Sequence, residues 1–257
     1  MLGLPNNSSG TAPAYYIGNE AAQLCHDFLR KQQRVAVDIE TEGLGALSFK
    51  VKAVIISTDD LAVVLAANNA QHKRAGREVL TQVPELIFHN STFDVPPLTS
   101  AGWMRLTDVA RVTDTVVWAR MAYTDSLAGR GLADLEPRLL SDQFVHAVKD
   151  RLSYAGKVAG WTKGNTFTNL QYADPVYTMY AAWDALVTYR LHNPLIDACH
   201  HQLTTHEFGR YAADDMTAAQ LIEEAQKVNR INLWRSVKGL RVDGPLVRQQ
   251  VVEIHGQ

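Results

Sequence analysis

Two carboxylates one residue apart follow an apolar, β-branched run near the start of the chain. Residues 35–39 read Val-Ala-Val-Asp-Ile, and Glu40 comes next. Because side chains alternate along a strand, Asp38 and Glu40 are expected on one face and Ile39 on the other. Two neighbouring acids repel each other, and burial would push at least one of them towards neutrality. A divalent cation would compensate them, although a strand that ends in two solvated carboxylates explains this pair equally well.

Two further acids lie in patterns that associate them with helices. Residues 89–94 read His-Asn-Ser-Thr-Phe-Asp and join a predicted strand to a predicted helix, which puts Asp94 in the first helical turn. There the helix dipole favours the ionised carboxylate by roughly 0.3–1 kcal/mol. Tyr180 and Asp184 are four residues apart and share one face of a later predicted helix. Taken singly, a helix-start acid and an ordinary amphipathic helix explain these two patterns.

The elements that would position these acids alternate between strands and helices. Strands are predicted at 34–40, 51–57, 61–66, 85–89 and 111–112, and the main helices at 20–33, 114–123 and 174–191. This order predicts an α/β domain with a mixed five-stranded sheet flanked by helices. Thr113 is placed to cap the helix at 114–123, and Pro96 marks the start of the helix after the second motif.

Composition limits the classes of function. A chain of 257 residues with 46% apolar content can bury a full core. Its formal net charge of −2 disfavours a non-specific nucleic-acid coating protein, but not an enzyme that holds a nucleic-acid end near metal. Cys25 and Cys199 lack metal-ligand spacing and indicate free thiols in a reducing compartment. With no signal peptide and no apolar run near ~20 residues, we expect a cytoplasmic protein without membrane contact.

Together the three motifs resemble those of the DEDD 3′–5′ exonuclease superfamily, in its tyrosine-bearing subclass. They are similar in particular to the proofreading exonuclease domain of family-A (DNA polymerase I-like) DNA polymerases, over residues 15–200. The resemblance implies a ribonuclease H-like (DnaQ-like) fold. A His five positions before Asp184 would indicate the other subclass, but that position is Met179.

The resemblance also implies a role for each matching residue. Metal ligands would be Asp38, Glu40, Asp94 and Asp184, and the residues in contact with the terminal nucleotide would be Thr41, Leu44, Asn90 and Phe93. Carboxylate ligation without His or Cys suits two Mg²⁺ or Mn²⁺ ions, which activate water for phosphodiester hydrolysis. Tyr180 would orient that water, because a phenol with a pKa near ~10 is a poor base at neutral pH. The implied reaction releases 5′-mononucleotides from the 3′ end of DNA.

The residues outside this region complete the predicted organisation. Residues 1–14 are expected to form a flexible tail, and residues 201–257 are expected to be helical and resemble the start of a family-A polymerase thumb region. The palm and fingers are absent from this sequence. The expected partners are the single-stranded or frayed 3′ end of DNA and a downstream polymerase domain in the natural product. The lack of a preceding 5′-nuclease domain suits a phage polymerase in the host cytoplasm, and we expect a monomer.

Two alternatives remain open from the sequence. An RNase D-like 3′–5′ exoribonuclease would use the same metals on RNA, although the polymerase-like tail favours DNA. A catalytically silent module would bind a DNA end or act as a scaffold. Such degenerate domains usually lose an acid, whereas all four acids are present here.

Overall fold

One mixed sheet lies at the centre of the fold. The computed structural model describes residues 13–42, 50–125, 129–141, 144–205 and 215–239. The sheet has the order β1-β4-β3-β2-β5-β6, and its strands are β1 (Ala14–Ile17), β2 (Arg34–Glu42), β3 (Lys50–Ser57), β4 (Leu61–Ala66), β5 (Glu85–Phe88) and β6 (Val112–Asp114). The predicted α/β class and mixed sheet are confirmed, with six strands where five were expected.

The additional strand is β1, which pairs in parallel with β4 at the outer edge of the sheet. Its sequence is Ala-Tyr-Tyr-Ile, so no alternation of polar and apolar residues marks it as a half-buried strand. Ala14, the last residue assigned to the predicted tail, is instead the first residue of β1. Residues 1–12 lie outside the described residues.

Helices cover both faces of the sheet. They are α1 (Gly18–Asp27), α2 (Ala70–Gln82), α3 (Ser91–Ser100), α4 (Thr115–Ala122), α5 (Leu132–Leu139), α6 (Phe144–Val158), α7 (Lys163–Asn169), α8 (Pro175–Arg190), α9 (His192–Thr205) and α10 (Asp215–Lys238). Short 3₁₀ segments occur at Leu29–Lys31 and Leu106–Arg111.

Two hydrophobic cores lie on opposite sides of the sheet. The first packs α1, α2 and α3 against the strand face that carries Val37 and Ile39. The second packs α4, α5, α6, α8 and α9 against the face that carries Ala53 and Ile55. Because each fully buried aliphatic side chain contributes about 1.5–3 kcal/mol, these two cores hold the sheet and its helices in a defined arrangement.

The junction before α4 differs from the sequence prediction. The helix cap is Asp114, whose carboxylate accepts a hydrogen bond from the Val116 amide at 2.9 Å, and Thr113 lies inside β6. The predicted cap at Thr113 was therefore wrong by one residue. A carboxylate at this position satisfies an otherwise unpaired N–H group of the first helical turn.

The start of α3 also differs from the prediction. It begins at Ser91, earlier than the predicted start at Pro96, because the Asp114 carboxylate accepts a hydrogen bond from the Ser91 amide at 2.8 Å. A cap supplied by a distant strand cannot be read from the local sequence. Pro96 consequently lies within the helix.

α10 covers the edge of the sheet at β6. The Gln226 side-chain oxygen accepts from the Asp114 amide at 3.0 Å, while its nitrogen donates to the Asp114 carbonyl at 2.9 Å. The Arg230 side chain donates to the Val112 carbonyl at 2.8 Å. An edge strand exposes unpaired backbone groups, and α10 satisfies those of β6 with side chains in place of another strand.

The segment after residue 200 is helical where the structure describes it. α10 ends at Lys238 and is followed by Gly239 with a φ of 70°, a left-handed conformation that is common directly after a helix. Residues 206–214 and 240–257 lie outside the described residues, and the boundary at residue 200 stays a prediction. Within the described ranges, none of the helices has the length and apolar character needed to cross a membrane.

Candidate active site

Asp38 and Glu40 lie on the face of β2 that faces α8. In the register with β3, Asp38 is opposite Ile55 and Glu40 is opposite Ala53, both of which belong to the core under α8. Ile39 belongs to the opposite core, as the alternation of side chains predicted. A bulge directly after Glu40 interrupts the pairing at the rim of the sheet. Bulges at such positions redirect the side chains next to them.

Asp94 reaches the same end of the sheet because β2 and β5 are parallel neighbours. It lies in the first turn of α3, as predicted, and is only 3% exposed. The turn from β5 into α3 passes through Asn90, whose φ of 72° is a left-handed conformation that Asn tolerates better than most residues. Asp94 is close enough to Asp38 and Glu40 for their charges to act on its carboxyl group.

The helix α8 contributes Tyr180 and Asp184. Asp174 caps the start of this helix. Tyr180 and Asp184 are one turn apart, and their side chains are hydrogen-bonded to each other. Because α8 packs across β2 and β3, Asp184 comes close enough to Asp38 and Glu40 to repel their negative charges.

The pKa values of all four carboxyl groups lie above the ordinary range. Burial is the largest cause for each of them. Repulsion adds to it, since Asp184 raises the pKa of Asp38 and of Glu40, and Asp38 raises the pKa of Asp94. The four acids therefore form one electrostatic unit, because Asp38 interacts unfavourably with each of the other three.

Two lysines oppose this effect in part. Lys149 lowers the pKa of Asp38 and of Asp184, and Lys52 lowers the pKa of Glu40. The net shifts are still upward, so two cationic side chains do not compensate four acids. A further source of positive charge would stabilise the cluster.

The carboxylates also have free ligand capacity. Oδ1 of Asp184 is buried and has no hydrogen-bond partner among the described residues. Burying such an acceptor unpaired costs about 1–3 kcal/mol, and a bound cation would remove that cost. An all-oxygen donor set fits Mg²⁺ or Mn²⁺. In the described part of the chain, we find no group of three or more His, Cys, Asp or Glu side chains that is already arranged to hold an ion. Binding would therefore require these mutually repelling carboxylates to move together.

Two of the residues predicted to contact the terminal nucleotide, Thr41 and Phe93, are chain neighbours of Glu40 and Asp94. Thr41 follows the bulge in β2 and is buried. Asn90 is exposed, and its side-chain oxygen accepts a hydrogen bond from the Thr92 hydroxyl at 2.8 Å. Phe93 is partly buried against the core under α3. Leu44 lies outside the described residues, and the roles of all four contacts stay predictions.

Tyr177 is a site residue that the sequence analysis missed. Its hydroxyl donates to Oε2 of Glu40 at 3.5 Å, and Nζ of Lys52 lies 4.6 Å from its ring centroid. Burial and the neighbouring acids raise the pKa of Tyr177, so its hydroxyl stays protonated. Tyr177 is three residues before Tyr180 and on the same helical face, which is the signal that could have identified it.

A groove with three lysines reaches one of the four acids, since Lys52 in its wall lowers the pKa of Glu40. It has a volume of about 550 Å³ and lies beyond Glu42, at the end of β2. Lys50, Lys52 and Lys73 line it, and Lys50 pairs with Glu42 at 3.0 Å. Since the three lysines outnumber the acid, the groove suits a polyanion such as a nucleic-acid backbone.

Solved structures with a similar fold include the cores of known exonucleases. The catalytic core of RRP6 from Trypanosoma brucei superimposes with a TM-score of 0.59 at 13% identity, over 98% of this chain and 60% of that one. Escherichia coli RNase D, an exoribonuclease involved in structured RNA processing, gives a TM-score of 0.55 at 12% identity, over 88% of this chain and 52% of that one. This likeness confirms the predicted ribonuclease H-like exonuclease fold.

The family is shown by the sequence. A family model described as 3′-5′ exonuclease, of the DNA polymerase A type, matches residues 17–227. The chain therefore belongs to this 3′–5′ exonuclease family. A DNA polymerase of Mycobacterium phage D29 is 23% identical over 175 residues, which are 64% of this chain and 29% of the polymerase. The matched region thus covers a minor part of that polymerase.

Proposed function

We propose that this chain is a metal-dependent exonuclease that hydrolyses DNA from the 3′ end, as the proofreading part of a family-A DNA polymerase. The observation that carries the proposal is the meeting of four carboxylates from β2, α3 and α8 at one end of the sheet. Such a cluster is electrostatically unfavourable unless cations bind to it. Membership of the 3′–5′ exonuclease family supports the direction of hydrolysis.

Asp38, Glu40, Asp94 and Asp184 are the proposed metal ligands, for two Mg²⁺ or Mn²⁺ ions. Bound divalent ions lower the pKa of water and stabilise charge on a transferring phosphate. Three separate elements of one packed framework carry these ligands and bring them near one another, and their side chains would close on the ions. Burial of Glu40, Asp94 and Asp184 limits the access of bulk water and strengthens the electrostatic interactions within the site.

Tyr180 is proposed to orient the attacking water by a hydrogen bond. Burial, and then the charges of Asp184 and Glu40, raise its pKa well above the usual value. The phenol therefore keeps its proton at neutral pH and cannot act as a general base. Its hydrogen bond with Asp184 restricts where the hydroxyl points.

DNA is the proposed substrate because of the match to a phage DNA polymerase. The terminal nucleotide would lie near Thr41, Leu44, Asn90 and Phe93, where apolar and aromatic contacts bind bases with little sequence preference. The adjoining lysine groove would take the charged backbone. The likeness to RNase D bears on the fold, and the exoribonuclease alternative is decided by the substrate test below.

The test compares 3′-labelled single-stranded DNA and RNA of one sequence, with Mg²⁺ or with EDTA. We expect Mg²⁺-dependent release of 5′-mononucleotides from DNA, abolished by Asp38→Ala. Asp197→Asn, which removes an exposed acid from α9, should leave the rate unchanged. Activity in EDTA or in Asp38→Ala would refute the metal-site proposal. Preference for RNA would support the exoribonuclease, and binding without hydrolysis would support the silent module.

A further inference from the structure

The turn that carries Asp94 is held by a carboxylate from a neighbouring strand. Asp114, 3% exposed, accepts hydrogen bonds from the Asn90 amide at 3.0 Å, the Ser91 amide at 2.8 Å and the Ser91 hydroxyl at 2.5 Å. It also caps its own helix through the Val116 amide. One buried side chain therefore fixes both the left-handed residue Asn90 and the first residue of α3.

Two side chains on α10 hold this arrangement from the other side. Gln226, 1% exposed, makes a reciprocal pair of hydrogen bonds with the backbone of Asp114 at 3.0 and 2.9 Å. Asn229, 8% exposed, donates from Nδ2 to the Ser91 hydroxyl at 3.2 Å. The two residues are three positions apart and share one face of α10. Burying two amides is costly unless they are paired, and here Gln226 is paired to Asp114 and Asn229 to Ser91.

We propose that Gln226 and Asn229 are positioning residues for the nuclease reaction, which act on Asp94 through Asp114 and Ser91. The inference rests on the proposed function, since Asp94 is there a metal ligand. Asp94 is three residues from Ser91 in the first turn of α3, so a displacement of the helix start moves its carboxylate directly. The helix that leads out of the nuclease fold thereby sets the geometry of the metal site.

Loss of the hydrogen bonds of Gln226 and Asn229 should have a different effect from loss of ordinary apolar packing. Without Gln226, the amide and carbonyl of Asp114 lose their partners, and the turn through Asn90 loses part of its support. A left-handed non-glycine residue costs about 1–3 kcal/mol and persists only where its surroundings enforce it. The expected consequence is a looser start of α3, with the substrate groove unaltered.

The experiment uses the full chain with Gln226→Met and Asn229→Leu, which keep the side-chain volume and remove the hydrogen bonds. The matched controls are Gln220→Met and Asn232→Leu at exposed positions of α10. For both network variants we expect kcat to fall about 10- to 100-fold, as when a support of a metal ligand is lost, with KM for single-stranded DNA within about twofold. The controls should match the wild type.

Two readouts do not depend on turnover. Amide hydrogen exchange in peptide 88–94, followed by mass spectrometry without metal, should become faster in the network variants only. Mn²⁺ binding, measured by titration calorimetry without substrate, should weaken by about 10- to 100-fold. Unchanged exchange together with wild-type kcat in folded variants would overturn the inference, and so would a loss confined to KM.

The outcomes separate the inference from the proposed function. If the wild type shows no metal-dependent hydrolysis, the proposed function fails, and exchange in 88–94 still decides whether α10 holds the turn. If the wild type is active and both network variants behave like their controls, the inference alone fails. Should Gln226→Met not unfold cooperatively, Asn229→Leu, which removes one hydrogen bond, decides the outcome in the same way.

Discussion

Replacement of Asp184 by Asn should stabilise the metal-free protein while it abolishes hydrolysis. Oδ1 of Asp184 is buried without a hydrogen-bond partner among the described residues, and the charge of Asp184 raises the pKa of Asp38 and of Glu40. The amide group that Asp184→Asn introduces carries no charge and can donate to a neighbouring carboxylate. The substitution therefore removes repulsion and an unpaired acceptor together.

The expected gain in stability comes from the unpaired acceptor and from the repulsion that the substitution removes. An unpaired buried acceptor costs about 1–3 kcal/mol, and relief of the pKa shifts of Asp38 and Glu40 acts in the same direction. We expect the free energy of unfolding in EDTA at pH 8 to rise by roughly 1–3 kcal/mol. For a chain of this size, each 1 kcal/mol raises Tm by about 2–4 °C.

The pH dependence of stability tests independently whether Asp184→Asn is more stable than the wild type. A carboxyl group whose pKa is raised on folding keeps its proton to higher pH in the folded state than in the unfolded state. Its stabilising contribution is complete below the unfolded pKa near ~4, and it is lost as the pH rises through the folded value. Since protonated Asp184 resembles an uncharged amide, the stability difference between the variant and the wild type should shrink towards pH 5 and grow towards pH 8.

Urea and thermal unfolding in EDTA between pH 5 and pH 8 measure this difference. Asp197→Asn on α9 is the control, because the removed acid is exposed. Mg²⁺ should reverse the ranking, since a ligand at 1,000 times its Kd stabilises the wild type by about 4.1 kcal/mol. The reasoning is refuted if the variant is no more stable than the wild type in EDTA at pH 8.

Three further predictions test other parts of the molecule. Tyr180→Phe should lower kcat roughly 10²-fold through loss of one positioned hydroxyl group, with Mn²⁺ affinity retained by calorimetry. A collapse of that affinity would contradict the assignment of Tyr180 to the attacking water. Lys73→Ala should raise KM for DNA and reduce the slope of log K against log salt by about 0.7. An unchanged slope would show that Lys73 does not contact the DNA backbone. Gly76→Ala would place a Cβ 2.5 Å from a Trp103 ring atom and 2.8 Å from Leu65. Urea unfolding should therefore show that the free energy of unfolding falls by about 1–3 kcal/mol. An unchanged free energy would mean that the Trp103 ring can move away without cost.

The sequence was informative where chemistry and regular structure are both local. The alternation along β2 predicted that Asp38 and Glu40 share a face opposite Ile39, and the structure places them so. The four-residue spacing predicted that Tyr180 and Asp184 meet, and they are hydrogen-bonded. Both results depend on the geometry of a single element, which the sequence of that element specifies.

The sequence was uninformative where a residue is placed by a distant part of the chain. The start of α3 depends on a carboxylate of β6, and the conformation of that strand depends on Gln226, 112 positions further along the chain. The local sequences of β6 and α10 do not predict which part of the chain each of them contacts. The strand β1 was missed for a related reason, because an edge strand of four residues gains its identity from its pairing with β4.

The elements that carry the acids are held in place by contacts of other residues. α8 is held by the buried Glu136, whose carboxylate accepts from Nε1 of Trp183 and from the Val145 amide, each at 2.7 Å. α3 is held by Asp114, and β2 is held by the registers on both of its sides. None of these contacts uses the side chain of a proposed metal ligand, although the register of β2 with β3 includes the backbones of Asp38 and Glu40. Mutual repulsion in the cluster is therefore resisted by a framework that does not change when one ligand is replaced, and loss of activity in such a variant can be assigned to chemistry.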